Sequence, residues 1–400
     1  MDFVSYDNLI KKFFLENSYL SDHIFLFYID KKTTDVDYKK GFLYLDYPNV
    51  NFLKGKENEL KKDYNKLLLL FDDVEFESDF LKVQYQKKLG EIGNILELIN
   101  CFYDKNEEKK FHLVTKSFGV DLDFCREEVL KNQDLIINYF SDLLIESKKY
   151  DVIFSKIQEF VWYTFNSTQI KFYFEEALKY LKISDFWDVE ITNNVGSIVH
   201  GGFTNNKGVI YIPSDANVSF ERLFNLIIHE IDGHAKQFSN FSSELLFSSL
   251  VRFSNSEEYI EGLAMYLENS FNTLIFRNLK VKKYIDKFSQ VLGLLDGKID
   301  YYDFLEQYEF NKFRVFRGFS DIKNYINTKD LIYTQGLYKI LKKQKDFGKK
   351  LFDVIYLGCV NDDYLLENLD KSENKFDIFS LIENSSAFFV MNKFFLKLDK

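Results

Sequence analysis

The stretch LFNLIIHEIDGHAKQF (residues 223–238) decides how the chain is read. Leu223, Phe224, Leu226, Ile227 and Ile228 form an apolar run. Ser219 stands ahead of it as an N-cap and Glu221 falls in the first turn, where the helix dipole favours an acid. A buried helix is therefore expected, and it carries His229 and His234. Residues five apart on an ideal α-helix diverge by about 140°, so the two imidazoles cannot meet on regular helix. A wide turn with i→i+5 bonding brings them back to one side, and such turns occur often at functional sites. Gly233 is the residue that most cheaply permits an altered backbone. Asp232 can end the regular helix or bond an imidazole. The spacing leaves two readings: a deformed helix whose histidines share one ligand, or two buried histidines with separate structural roles.

The first reading has a definite chemistry. A catalytic zinc site takes three protein ligands and keeps a fourth position open. In H-E-x-x-H the histidines are four apart and the glutamate between them is the general base. Here one residue is added, so that His229 and His234 are ligand candidates and Glu230 the base candidate. The third ligand is expected from the next helix, in SNSEEYIEGLAMYLE (254–268), where Ser254 and Glu257 have capping-box spacing. Glu261 is the candidate there, and Gly262 leaves room for close packing. Glu257, Glu258 and Glu268 could act as outer acids; a solvated acidic face is the plainer expectation for each. The chain has only five histidines. His23 and His112 are expected to be structural, and His200 to sit in a plain loop.

Bulk composition narrows the setting. The chain has 400 residues, 46% of them hydrophobic, enough for a sizeable core and for more than one lobe. A net charge of −10 argues against nucleic acid or an anionic membrane as partner. With 44 Phe and 26 Tyr against 2 Pro, aromatic-heavy cores follow from composition and mark no binding surface. Cys101, Cys125 and Cys359 form no pairing framework, which suits a reducing compartment. No signal peptide is evident, and LLLLF (67–71), among the longest apolar runs, is far too short to span a bilayer. A cytoplasmic protein is expected.

Along the chain, HIFLFYI (23–29) reads as a strand. KENELKKDYNKLLLLF (56–71) and VLKNQDLIINYFSDLLIESKKY (129–150) show helical periodicity. DVEITNN (188–194) and GVIYIP (208–213) read as strands, with a possible hairpin around SIVHGGFTNNKG (197–208). The expected divisions are a mainly helical N-terminal subdomain (1–150), a catalytic domain (151–370) and a C-terminal tail packed on the core (371–400).

The stretch from GVIYIP through HEIDGHAKQF, followed by YIEGLAMYLE, resembles the microtubule-associated tyrosine carboxypeptidase family and its bacterial relatives with a QEGLA motif. YPNVNF (47–52), FRVFRG (313–318), KDLIYTQGLYKI (329–340) and LFDVIYLGCV (351–360) extend the likeness over roughly residues 40–370. The chain departs from the family pattern in having glycine fifth and aspartate fourth in HEIDGH, and Ile260 before the EGLA glutamate. The resemblance implies an α+β, predominantly helical fold with a zincin-like core and a small β-sheet edge. It implies zinc held by His229, His234 and Glu261, with Glu230 as base. It also implies removal of a C-terminal aromatic residue, tyrosine in the family's tubulin case, from a protein or peptide with a free C-terminus. Tyr333 is then the candidate oxyanion donor, and Arg314 and Arg317 the candidate clamps for the terminal carboxylate. An endopeptidase with the same core and a degenerate protease fold used for binding are the alternatives.

Overall fold

The computed structural model describes residues 1–17, 35–37, 42–44, 55–104, 106–193, 198–204, 207–244, 256–308, 315–358, 360–369 and 377–398. For residues 14, 15, 35–37, 42–44, 199–204, 241–244, 397 and 398 only the backbone is described. The expected strand at 23–29, the segment 47–52, Ser254, Arg314 and Cys359 lie outside the described residues. Helices dominate, with little sheet. Among the described residues no helix is long and apolar enough to cross a membrane.

The chain divides into two compact units, each assembled from three stretches. One comprises Met1–Lys131, Leu246–Asn255 and Asp286–Ile332, the other Asn132–Leu245, Ser256–Ile285 and Tyr333–Lys400. The first unit is built on helices Phe3–Glu16, Glu57–Phe71, Asp79–Asp104 and Glu107–Ser117. Their apolar stripes meet in an aromatic cluster of Phe3, Tyr6, Phe71, Phe76 and Tyr85. Buried Tyr hydroxyls need partners: Tyr6 donates to Leu67 O at 2.9 Å and Tyr85 to Asp7. Lys110, also buried, donates to Glu107 Oε1 at 2.9 Å and to Gly318 O at 3.0 Å. Cys101 and Cys125 are buried in this unit.

The second unit carries the HEIDGH segment. It opens on helix α1 (Ser167–Tyr180), begun by a capping box in which Asn166 and Gln169 bond each other's backbone. A three-stranded sheet follows: β1 (Trp187–Thr192), β2 (Val199–Thr204) and β3 (Lys207–Pro213). Its order is β1-β3-β2, parallel between β1 and β3 and antiparallel between β3 and β2. Both strands expected from the sequence are present, but they pair parallel to each other. The hairpin forms instead with VHGGFT (199–204), whose two glycines read as a turn. His200 belongs to this strand, paired with Ile210, rather than to a loop. Ile210 and Ile212 of β3 are fully buried under α1.

Next comes one continuous helix of three stretches, Phe220–Leu226, Ile227–Ala235 and Lys236–Glu244, together α2. Ser219 caps it, accepting from Arg222 N at 3.3 Å. Helix α3 (Glu257–Phe271) packs along it. Its N-cap is Ser256, whose side chain makes no capping bond. Helix α4 (Lys329–Ile355) is interrupted at Gly348, whose φ of 51° lies in the left-handed region. Helix α5 (Ser386–Leu398) packs on α1 and on the middle of α2, with Phe394 against Phe165 and Phe220.

Candidate metal centre

The middle of α2, Ile227–Ala235, is wound as a π-helix. Its i→i+5 bonding, seen in Lys236 N–H donating to Ile231 O, sets residues five apart near one another. The imidazoles of His229 and His234 therefore face one another, with ring centroids 4.9 Å apart and planes at 83°. Gly233 makes a different contribution from the one its type suggests. Its φ is not positive, and the value of glycine here is contact: a Cβ would come 3.0 Å from Ala264 Cβ on α3. Removing that methyl lets α3 approach the face of α2 that bears the histidines.

A second close approach fixes α3 from its other side. A Cβ on Gly262 would meet the Gly336 backbone carbon of α4 at 2.5 Å, so the two helices touch main chain to main chain. Polar links reinforce this end. Glu258 is buried, accepts from Gln335 Nε2 at 2.8 Å, and pairs with Lys339, which also reaches Asp362 at 2.8 Å. Glu261, beside Gly262, is thereby presented to α2.

Glu261 Oε2 lies 3.5 Å from His234 Nε2 and 3.9 Å from His229 Nε2. One ligand atom from each of the three residues falls within 4.8 Å of the others. Ligand atoms about 2.0–2.2 Å from a tetrahedral ion stand roughly 3.4 Å apart, a spacing that the Glu261–His234 pair nearly matches. His229 Nδ1 faces Glu268 Oε2 at 3.0 Å. That bond orients the ring and leaves Nε2 toward Glu261, the arrangement by which an outer carboxylate fixes a metal-binding histidine. Glu268 is buried, not solvated, and accepts from Tyr284 OH at 3.3 Å through its other oxygen.

The surrounding carboxylates favour positive charge at His229. Burial alone pushes His229 down, but the bond to Glu268 and the charges of Glu230, Glu268 and Glu261 outweigh it and hold the imidazolium up to about 9. Burial raises the Glu268 carboxyl, yet its bond to His229 and the charges of His229, Arg222 and Lys280 leave it below its ordinary value. The acidic surroundings that keep a proton on His229 would equally favour a divalent ion in its place. Two imidazoles and a carboxylate form a donor set suited to zinc, so these residues fit that ion.

The remaining expected residues divide. Glu230 is buried, and its charge acts on His229. Tyr333 is half-buried on α4, one turn before the Gly262–Gly336 contact, and its charge would act on Tyr284. Asp232 does not serve the imidazoles. It is buried and caps α5, accepting from Ser386 N at 2.8 Å, Ser386 Oγ at 2.7 Å and Ala387 N at 3.3 Å. Arg317 belongs to the first unit, where its carbonyl accepts from Asn327 at 3.3 Å; Arg314 is outside the described residues. Glu268 is one of the three candidate outer acids, and the plainer expectation of a solvated face does not hold for it. Its signal was the spacing, since Glu261 and Glu268 are seven apart and share a helix face. Compared with known proteins, the chain matches no family model and no curated sequence.

Proposed function

We propose that the chain is a zinc-dependent peptidase acting as a carboxypeptidase on a peptide or protein with a free C-terminus. The observation that carries this reading is the convergence of His229, His234 and Glu261, with Glu230 next to the first ligand and Glu268 behind it. Bound there, zinc would supply a Lewis acid and bring the pKa of its water toward ~7. Glu230 accepts the proton of the attacking water and passes it to the leaving amine. Glu268 keeps His229 in one orientation through catalysis. Tyr333 is the candidate donor to the developing oxyanion, consistent with its place on α4 beside the Glu261 end of α3. The preference for a C-terminal aromatic residue rests on the family resemblance alone. A carboxypeptidase also needs a cation for the terminal carboxylate; Arg314 and Arg317 are the candidates from sequence, and the second unit adds Arg222.

The test is digestion of a peptide library read by mass spectrometry, comparing wild type with Glu230→Gln. Wild type should release single C-terminal residues, and the variant should keep its zinc while losing roughly 10²–10⁴-fold in rate. Equal activity of the two proteins would remove Glu230 from the mechanism, and cuts confined to chain interiors would make the protein an endopeptidase.

A further inference from the structure

We propose that Arg222 is the cation that receives the terminal carboxylate of the substrate; this rests on the peptidase reading above. Arg222 stands in the first turn of α2, with its backbone N–H bonded to Ser219 Oγ. The cap fixes its Cα, while the side chain is 51% exposed. It precedes His229 by seven residues on the same helix, and both side chains reach Glu268. Its Nη1 lies 3.9 Å from Glu268 Oε1, on the carboxylate whose other oxygen meets His229. The guanidinium is thus one carboxylate removed from a metal-ligand imidazole.

Its neighbours are engaged more tightly. Lys280 Nζ is 2.6 Å from Glu221 Oε1, and Asn278 donates to that same oxygen at 3.1 Å. Arg277 pairs with Asp151 and lies over the Phe154 ring at 4.3 Å. Arg222 meets Glu268 only at the outer limit of an ion pair, and Glu268 already serves His229 and Tyr284. A half-exposed pair of this kind contributes little stability, and a guanidinium carries five donors in a fork that fits a carboxylate. Arg222 can therefore turn to a second carboxylate without a large cost to the fold.

Position then sets substrate class. A bond cut at the ligand point leaves one residue, about 3.3–3.6 Å of chain, before the terminal carboxylate of an exopeptidase substrate. A cation one carboxylate removed from His229 would select a chain end rather than a chain interior.

The experiment measures binding as well as turnover. A tripeptide ending in tyrosine, as free acid and as amide, is titrated calorimetrically into zinc-loaded Glu230→Gln protein and into the Glu230→Gln/Arg222→Ala double variant. The same peptides are offered for turnover to wild type, Arg222→Ala and Arg222→Lys. The free acid should bind Glu230→Gln more tightly than the amide by roughly 10–100-fold, the scale of a charged hydrogen bond. That preference should vanish with Arg222→Ala, zinc content staying unchanged, and Arg222→Lys should restore part of it in KM rather than kcat. A preference that survives Arg222→Ala, as it would if Arg314 or Arg317 held the carboxylate, overturns the assignment. So does the absence of any preference in Glu230→Gln. If the binding pattern holds but wild type cuts neither peptide, the peptidase reading fails while Arg222 stands as the carboxylate site.

Discussion

Glu268 Oε2 stands 3.0 Å from His229 Nδ1, and Glu268 lies on the helix that also presents Glu261. One helix thus supplies both a carboxylate at the ligand point and the carboxylate that orients an imidazole toward it. Replacing Glu268 by glutamine keeps the shape and removes the charge. Outer partners of this kind typically contribute 10–100-fold in metal affinity. Glu268→Gln should therefore weaken zinc binding by about that factor in a competition titration with a chelating dye. An unchanged affinity would make the Glu268 contact incidental.

The same cluster predicts a pH dependence. Free imidazole titrates near 6.5, whereas His229 in the metal-free fold holds its proton up to about 9. A group whose folded value is raised stabilises the fold fully below its unfolded value and loses that contribution as pH rises through the folded one. Chelator-treated protein should lose this contribution between pH 6.5 and 9, lowering its melting temperature. Zinc must displace the same proton, so metal uptake at pH 7 should release about one proton from His229. Calorimetry in buffers of different ionisation heat reads that release, and zinc uptake without proton release would contradict the assignment.

Packing behind the site gives a mechanical prediction. A methyl on Gly262 would fall 2.5 Å from a backbone carbon of Gly336, and main chain cannot swing aside as a side chain can. Gly262→Ala should cost about 1–3 kcal/mol by overpacking, measured by urea unfolding. It should also lower zinc affinity, because Glu261 is the adjacent residue. Gly90, on the helix Asp79–Asp104, has no atom within 4 Å of its would-be Cβ. Gly90→Ala should therefore be neutral or stabilising by up to ~1 kcal/mol, since alanine is the better helix former. A Gly262→Ala protein as stable as wild type would mean that α3 and α4 separate more readily than their contact suggests.

Local rules account for what the sequence revealed. The five-residue spacing of His229 and His234 calls for a wide turn if the two share a ligand, and Ile227–Ala235 is wound as one. Ser219 caps its helix as its type and position require, and Gly262 beside Glu261 takes the close helix packing expected of it. What stayed hidden depended on partners far along the chain. Asp232 looked like an imidazole partner because it is local, but its bonds go to Ser386 and Ala387, 154 and 155 residues away. From sequence β2 reads as a turn because Gly201 and Gly202 carry no strand preference, and cross-strand pairing to β3 overrides that. The two units interleave three stretches each, an arrangement that boundaries drawn in order along a sequence cannot express.

The central claim is that His229, His234 and Glu261 hold one metal ion together. Elemental analysis of protein purified without chelator, wild type beside Glu261→Ala, tests it most directly. The account predicts about one zinc per folded wild-type chain and substoichiometric zinc in the variant, since catalytic sites use three protein ligands. A folded wild-type chain that carries no metal and takes up none on addition of zinc would contradict it, as would a variant that binds zinc as well as wild type.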